Sequence, residues 1–293
     1  MISSSWTLLK EAVLSFMNDE ALSRGAAIAF FAVTSLGPIL LIVVAIAGLI
    51  FGHDTAREAI TGQIHSLMGQ QSAELLQGAM DRAGEQSSGV WGTVLGVGTL
   101  IVTASGVFGE MQSALNKIWH AEPKGSTVSR LVRARAASLG LVATLGFLLI
   151  ISLVISAVLT SFGDFLNTVL PFGKMIVAVL NTLISFGLLA LLFGAIYKIL
   201  PDRHLLWSDV VVGALITSLL FTIGKSLIGL YLGSSAVGST YGAAGALIIV
   251  MLWTYYSSQI FLLGSELTKV YAERHGSRAG THSRQEPQVP EPA

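Results

Sequence analysis

The chain has 293 residues, 53% of them hydrophobic and 12% charged, with a mean hydropathy of +0.72 and a formal net charge of +0. That balance is too apolar for an ordinary soluble domain and points to a polytopic membrane protein. The absence of cysteine excludes disulfides, thiolate metal sites and cysteine nucleophiles, and a neutral chain has no general attraction to nucleic acid.

Residues 1–25 form the first unit. Between residues 3 and 22, Trp6, Leu9, Val13, Phe16 and Met17 share one helical stripe, with Lys10, Glu11, Asn18 and Asp19 elsewhere. This is the pattern of an amphipathic helix lying at the cytoplasmic membrane interface. Residues 26–272 form the membrane domain. Six stretches are long and apolar enough to cross ~30 Å of hydrocarbon as helices, namely 26–51, 89–111, 137–160, 175–200, 209–232 and 241–267. The predicted fold class is therefore all-α: six transmembrane helices, an N-terminal amphipathic helix and a helical external loop. The first span follows an amphipathic segment and lacks both a basic start and a small-residue cleavage site, so it is expected to be retained rather than cleaved as a signal.

Span one contains Thr34-Ser35-Leu36-Gly37-Pro38. Pro38 has no N–H for the carbonyl of Thr34, so a kink or unwinding is predicted there. Thr34 and Ser35 fall in the inner half of the membrane, with Thr103 and Ser105 of span two, Thr217 and Ser218 of span five, and Ser258 and Gln259 of span six. This layer reads either as the lining of a wet or substrate-binding cavity or as ordinary interhelical hydrogen bonding.

Residues 52–88 are the sizeable external segment. Ile60, Ile64, Leu67 and Met68, then Leu75, Leu76, Ala79 and Met80, have helical spacing in two pieces, which predicts a helical cap on the outer face. Its net charge of −3 fits a solvated helix face or a cation-attracting vestibule.

Within spans three to five, Ser152 and Ser156 share a helix face, Asn181 lies six residues inside the outer end of span four, and Ser218, Thr222 and Lys225 share a face of span five. Lys225 is about 10 Å below the outer end of its span. An outer polar layer of Lys225, Asn181, Ser152 and Ser156 follows. In it Lys225 would neutralise an anionic group such as a lipid phosphate, and Asn181 and Gln259 would orient that group. The competing reading is that Lys225 snorkels to the outer headgroups.

Arg24, Glu110 and Glu266 mark the cytoplasmic boundary, as gate residues or as interface charges. Gly92 to Gly96 and the Gly/Ala run at 242–246 read as close helix contacts. Residues 273–293, with Pro287, Pro290 and Pro292 and few apolar residues, are expected to be a disordered tail. The basic residues Lys10 and Arg24, Lys117 to Arg135, Lys198 and Arg203, and Lys269 onward share one side if six helices alternate. The positive-inside rule then places both termini in the cytoplasm.

The six histidines lack metal-ligand spacing, and no Gly-rich phosphate loop or Gly-x-Ser-x-Gly elbow occurs. No metal, cofactor or enzymatic activity is predicted; a membrane-embedded hydrolase would need a paired nucleophile and base that the sequence does not offer. Two functions remain. One is a transporter or a translocator of lipid or envelope precursors, acting on an anionic lipid or small anionic solute. The other is a non-transporting scaffold or envelope-assembly factor, with a second copy of the chain or an envelope protein as its partner.

Several local patterns occur in a telling order. Ala26-Ala27-Ile28-Ala29-Phe30-Phe31-Ala32-Val33-Thr34-Ser35-Leu36-Gly37-Pro38 is followed by Leu115-Asn116-Lys117-Ile118-Trp119 and by Tyr197-Lys198-Ile199-Leu200-Pro201-Asp202. Trp207, Gly213-Ala214, Tyr241-Gly242 and Leu263-Gly264-Ser265-Glu266-Leu267 complete the set. Over about residues 5 to 272 this resembles the BrkB-like (YihY-like) family of bacterial inner-membrane proteins. Phe31 and Gly37 stand where that family often has Tyr and Phe. The resemblance implies six helices in the bacterial cytoplasmic (inner) membrane with both termini inside, and some members are linked to serum resistance or envelope lipid handling. The family once carried the label ribonuclease BN; this sequence lacks the acidic metal-binding cluster that RNA cleavage would need.

Overall fold

A computed structural model describes residues 2–68, 70–86, 106–121, 151, 154, 155, 158, 173–234 and 243–276. Most of predicted spans two and three, including Thr103, Ser105, Gly92, Gly96, Ser152 and Ser156, lies outside the described residues, as does the chain beyond 276. Among the described residues every regular element is a helix.

Helix α1 (Ile2–Asn18) ends at a corner formed by Asp19 and Glu20, where Glu20 adopts φ 56 and ψ 33. That left-handed conformation costs a non-glycine residue about 1–2 kcal/mol. The interfacial helix is therefore shorter than the predicted 3–22. Helix α2 (Ala21–Phe51) begins five residues ahead of the expected Ala26 and runs unbroken through Pro38. The expected interruption does not divide the span. Proline removes a single hydrogen bond, and the adjacent turns are reinforced by side chains: the Thr34 hydroxyl donates to the carbonyls of Phe30 (3.1 Å) and Phe31 (2.9 Å), and Ser35 to Ala32 (3.0 Å).

Gly52, at φ 88, stops α2 and donates to the Gly48 carbonyl, and the chain turns directly into α3 (His53–Met68) and then α4 (Gln70–Gln86). These are the two pieces of the predicted cap. Their apolar faces, through Ile60, Ile64, Ala73 and Leu76, pack with Val44 of α2 and Val250 of the last helix.

Residues 106–118 form α5, which extends past the predicted end of span two at Met111. It is followed by α6 (Gly173–Ile199), α7 (Trp207–Ser234) and α8 (Ala243–Arg274). Among the described residues three helical segments are long and apolar enough to cross a membrane: Met175–Ile199, Trp207–Gly229 and Ala244–Arg274. They coincide with predicted spans four to six, except that α8 continues seven residues beyond Leu267. Met175, Val179 and Leu183 on α6, and Leu215, Leu219 and Ile223 on α7, form exposed apolar rows. Hydrocarbon, rather than water, suits such surfaces.

Helix α8 is the hub, packing against α7, α2, α1 and the cap. Its seam with α7 is set by reciprocal glycine–threonine contacts. Gly213 leaves room for the Thr268 side chain, and Gly264 leaves room for Thr217 and the Tyr197 hydroxyl. Tyr197 crosses the seam, donating to the Phe261 carbonyl at 2.7 Å and lying 3.1 Å from the Thr217 hydroxyl. Its ring stacks on Phe261 with centroids 5.3 Å apart, and Phe193 stacks on both. These rings anchor the largest buried cluster, which also holds Leu115, Ile118 and Trp119 of the α5 region.

Candidate functional site

Buried charge collects where the α1–α2 corner meets the last turns of α8. The Lys269 ammonium lies 3.8 Å from the Asp19 carboxylate, and these side chains are only 8% and 10% exposed. One turn earlier on α8, Glu266 is fully buried, and neither of its carboxyl oxygens has a hydrogen-bond partner among the described residues. Lys269, Asp19 and Glu273 are its electrostatic neighbours. The Ser265 hydroxyl beside it is likewise buried and unpartnered among the described residues. Two buried carboxyls thus face one ammonium, an arrangement far costlier than an apolar filling of the same volume.

Local sequence explains the arrangement. Glu266 and Lys269 are three residues apart on one helix and so share a face. The left-handed Glu20 bends the chain at the corner, where Asp19 is buried. A second contact, Glu11 of α1 with the Arg274 guanidinium (2.8 Å from Nε), holds α1 against the same end of α8. That pair is two-fifths exposed and contributes little by itself. Arg24 does not join Glu266; it donates to the Asp19 carbonyl and to the Ser113 hydroxyl of α5, each at 3.3 Å. Glu110 is half-buried on α5.

The residues predicted to bind substrate are distributed differently. Contact between Gly194 and Ala214 sets the register of α6 against α7. From there Asn181 is thirteen residues along α6 and Lys225 eleven along α7, both toward the cap, so they share a height to within ~3 Å. Both are half-buried, and among the described residues Lys225 has no hydrogen-bond or ion-pair partner. Gln259 turns instead to the start of α2, where Gly25 makes room for it and its amide approaches the Leu22 carbonyl at 3.4 Å. Its Oε1 is buried without a donor among the described residues.

Three hydroxyls of the inner layer donate to their own helices: Thr217 to Gly213, Ser218 to Ala214 and Ser258 to Thr254, at 2.7–2.8 Å. A threonine or serine four residues beyond a carbonyl is within reach of it. Thr217 also lies 3.1 Å from the Tyr197 hydroxyl of α6, an interhelical contact.

Two further places lie apart from the residues predicted to bind substrate. Asn116 of α5 and Asp202, in the turn after α6, exchange hydrogen bonds: the Asp202 amide donates to Asn116 Oδ1 at 2.8 Å and Asn116 Nδ2 donates to Asp202 Oδ2 at 2.9 Å. The Arg203 guanidinium donates to the Trp119 carbonyl beside them. On the cap, α3 and α4 enclose an open cleft of about 590 Å³ lined by Asp54, Glu58, Thr61, His65, Glu74 and Gln77, among others. Among the described residues no group of three His, Asp or Glu side chains is placed to hold a metal ion.

The segments joined by these contacts, 115–119, 197–202 and 263–267, are those that carried the family resemblance. The family model described as Virulence factor BrkB matches residues 12–289. The chain belongs to the BrkB family. It is 29% identical over 256 residues to a UPF0761 membrane protein of Janthinobacterium sp., covering 86% of this chain and 57% of that protein. It is 34% identical over 190 residues to the UPF0761 membrane protein YihY of Shigella boydii, covering 62% of this chain and 60% of the relative. A further BrkB-family relative, a UPF0761 membrane protein from Pseudoalteromonas translucida, is 25% identical over 260 residues, with 86% and 81% covered. The chain spans a little over half the length of most of the curated relatives it matches. No solved structure matches it.

Proposed function

We propose that this BrkB-family membrane protein moves a lipid or other anionic solute across the bacterial cytoplasmic membrane, with six spans and both termini in the cytoplasm. The observation that carries this reading is the buried cluster of Asp19, Glu266 and Lys269. Ionisable groups inside a membrane bundle are costly, and they mark pathways or coupling sites far more often than packing. A structural role would be served at least as well by apolar side chains of the same volume.

In this reading the cluster is the cytoplasmic gate. Lys225, with Asn181 at its height, meets the anionic group in the outer half, assisted by Ser152 and Ser156. Gln259, Thr34 and Ser35 border the path at the α2–α8 contact. The test is a reconstituted liposome assay that follows a fluorescent anionic phospholipid and, separately, a small organic anion. The wild type is expected to accelerate movement of one of them, and Lys225→Met and Glu266→Gln to slow it tenfold or more. Full activity in both variants would remove the proposal.

The second reading is a scaffold, and the stacked Phe193, Tyr197 and Phe261 favour it because they close the α6–α7–α8 seam with dry aromatic packing. Its partner would meet the acidic cap cleft. Substitutions in the cap would then impair function in cells more than those at Lys225 or Glu266.

A further inference from the structure

Helix α1 has one broad apolar stripe, and the protein covers only one edge of it. Ala12 is fully buried and Phe16 packs on the main core, while Glu11 is engaged by Arg274. Beside that edge Trp6, Leu9, Val13 and Met17 are 69%, 41%, 45% and 59% exposed. At 100° per residue these four fall within a single arc of about 80°. Beyond the corner, Leu22 and Phe30 of α2 are also exposed apolar side chains.

We infer that α1 lies in the headgroup region of the membrane leaflet at its end of the bundle, with the row Trp6, Leu9, Val13 and Met17 against lipid acyl chains. The leaflet is the cytoplasmic one if the orientation proposed above holds; the contact with lipid does not depend on transport. Exposed apolar side chains on both helices of the corner favour lipid over a protein partner, since a partner would have to cover both helices. Trp6 at one end of the row suits a headgroup boundary, and Lys10 beside it can lay its stem on the apolar side with its ammonium in water. Lys10 and Glu11 are the only charged residues of α1, so the helix has no net charge. Glu11 is paired with Arg274, which leaves Lys10 as the single basic residue that anionic lipid could favour, by about 1 kcal/mol. Insertion is therefore mainly hydrophobic and only weakly sensitive to lipid charge, unlike that of a basic surface helix.

Because the chain has no cysteine, single spin labels can be placed by Leu9→Cys, Val13→Cys and, as a water-facing control, Asn18→Cys. The full chain is placed in nanodiscs of phosphatidylcholine alone or with phosphatidylglycerol, and collisions with oxygen and with a water-soluble nickel chelate are compared. Labels at 9 and 13 are expected to favour oxygen severalfold over nickel, the label at 18 to do the reverse, and both results to be nearly the same in the two lipids. Nickel access at 9 and 13 equal to that at 18 would overturn the inference. So would immobilised labels shielded from both reagents, which would mean a protein partner or a second copy, or a preference that arises only with phosphatidylglycerol. Quenching of Trp6 fluorescence by brominated lipid, taken as the difference between wild type and Trp6→Phe, gives the same answer without a label. No transport is read, so failure here leaves the transport proposal standing.

Discussion

Asn116 and Asp202 each donate one hydrogen bond to the other, at 2.9 and 2.8 Å, across 86 positions of sequence. One partner is on α5 and the other is in the turn between α6 and α7, so this exchange locks two otherwise separate segments. Asn116→Ala removes both bonds and leaves the half-buried Asp202 carboxylate only the longer one from Gln112 (3.4 Å), and is expected to destabilise by about 2–3 kcal/mol. Asp202→Ala removes only the bond from Asn116 Nδ2, because the Asp202 backbone amide keeps its bond to Asn116 Oδ1; it should cost less, and the double variant less than the sum. Thermal unfolding in detergent micelles measures the cycle; strict additivity would show that the two side chains do not act together.

Gly264 faces Thr217 and the Tyr197 hydroxyl with no room for a methyl group. Gly264→Ala is expected to destabilise by about 1–3 kcal/mol through overpacking. Thr217→Ala removes the hydroxyl that would lie nearest the new methyl but leaves the Tyr197 hydroxyl and its own Cβ close by, so it should recover part of that loss. If the second substitution gives no recovery, the clash is not what Gly264 avoids.

Lys269→Met would leave the Asp19 and Glu266 carboxyls buried without the ammonium that faces them. Removing one member of a buried pair costs about 3–5 kcal/mol. Asp19→Asn combined with Lys269→Met is expected to be much more stable than Lys269→Met alone. Chemical denaturation of the three proteins in matched detergent tests this ordering, and equal stability of the single and double variants would contradict it.

Lys225 should behave in the opposite way. It is half-buried and lacks a partner among the described residues, so Lys225→Met should alter stability by less than about 1 kcal/mol while transport falls. Parallel measurement of unfolding and flux separates the two effects. A large stability loss would instead reveal a structural role for the lysine.

Much of the architecture is legible in the pattern of apolar residues. Long apolar runs locate α6, α7 and α8, and helical spacing around Ile60 and Leu76 locates both cap helices. The α1–α2 corner is not legible, because a left-handed glutamate carries none of the glycine or proline signals that mark turns. Pro38 misleads for the opposite reason: its local effect is real, but the helix around it persists. The buried cluster was half visible. Glu266 stood out as an acid at the end of an apolar run, whereas Lys269 looked like part of a basic tail because α8 extends about two turns beyond that run. The spacing of Glu266 and Lys269 on one helix face was the available clue; Asp19 offered none, since its position depends on how α1 folds back.

Asp19 and Lys269 also bear on how the chain assembles. They lie 250 positions apart, one at the entry to the first long helix and the other near the end of the last. During synthesis the Asp19 carboxylate lacks this partner until α8 has been made, because among the described residues the ammonium beside it is that of Lys269. The corner can therefore settle into the bundle only late, and a ribosome stalled before Lys269 would leave the first helix pair undocked and open to proteolysis.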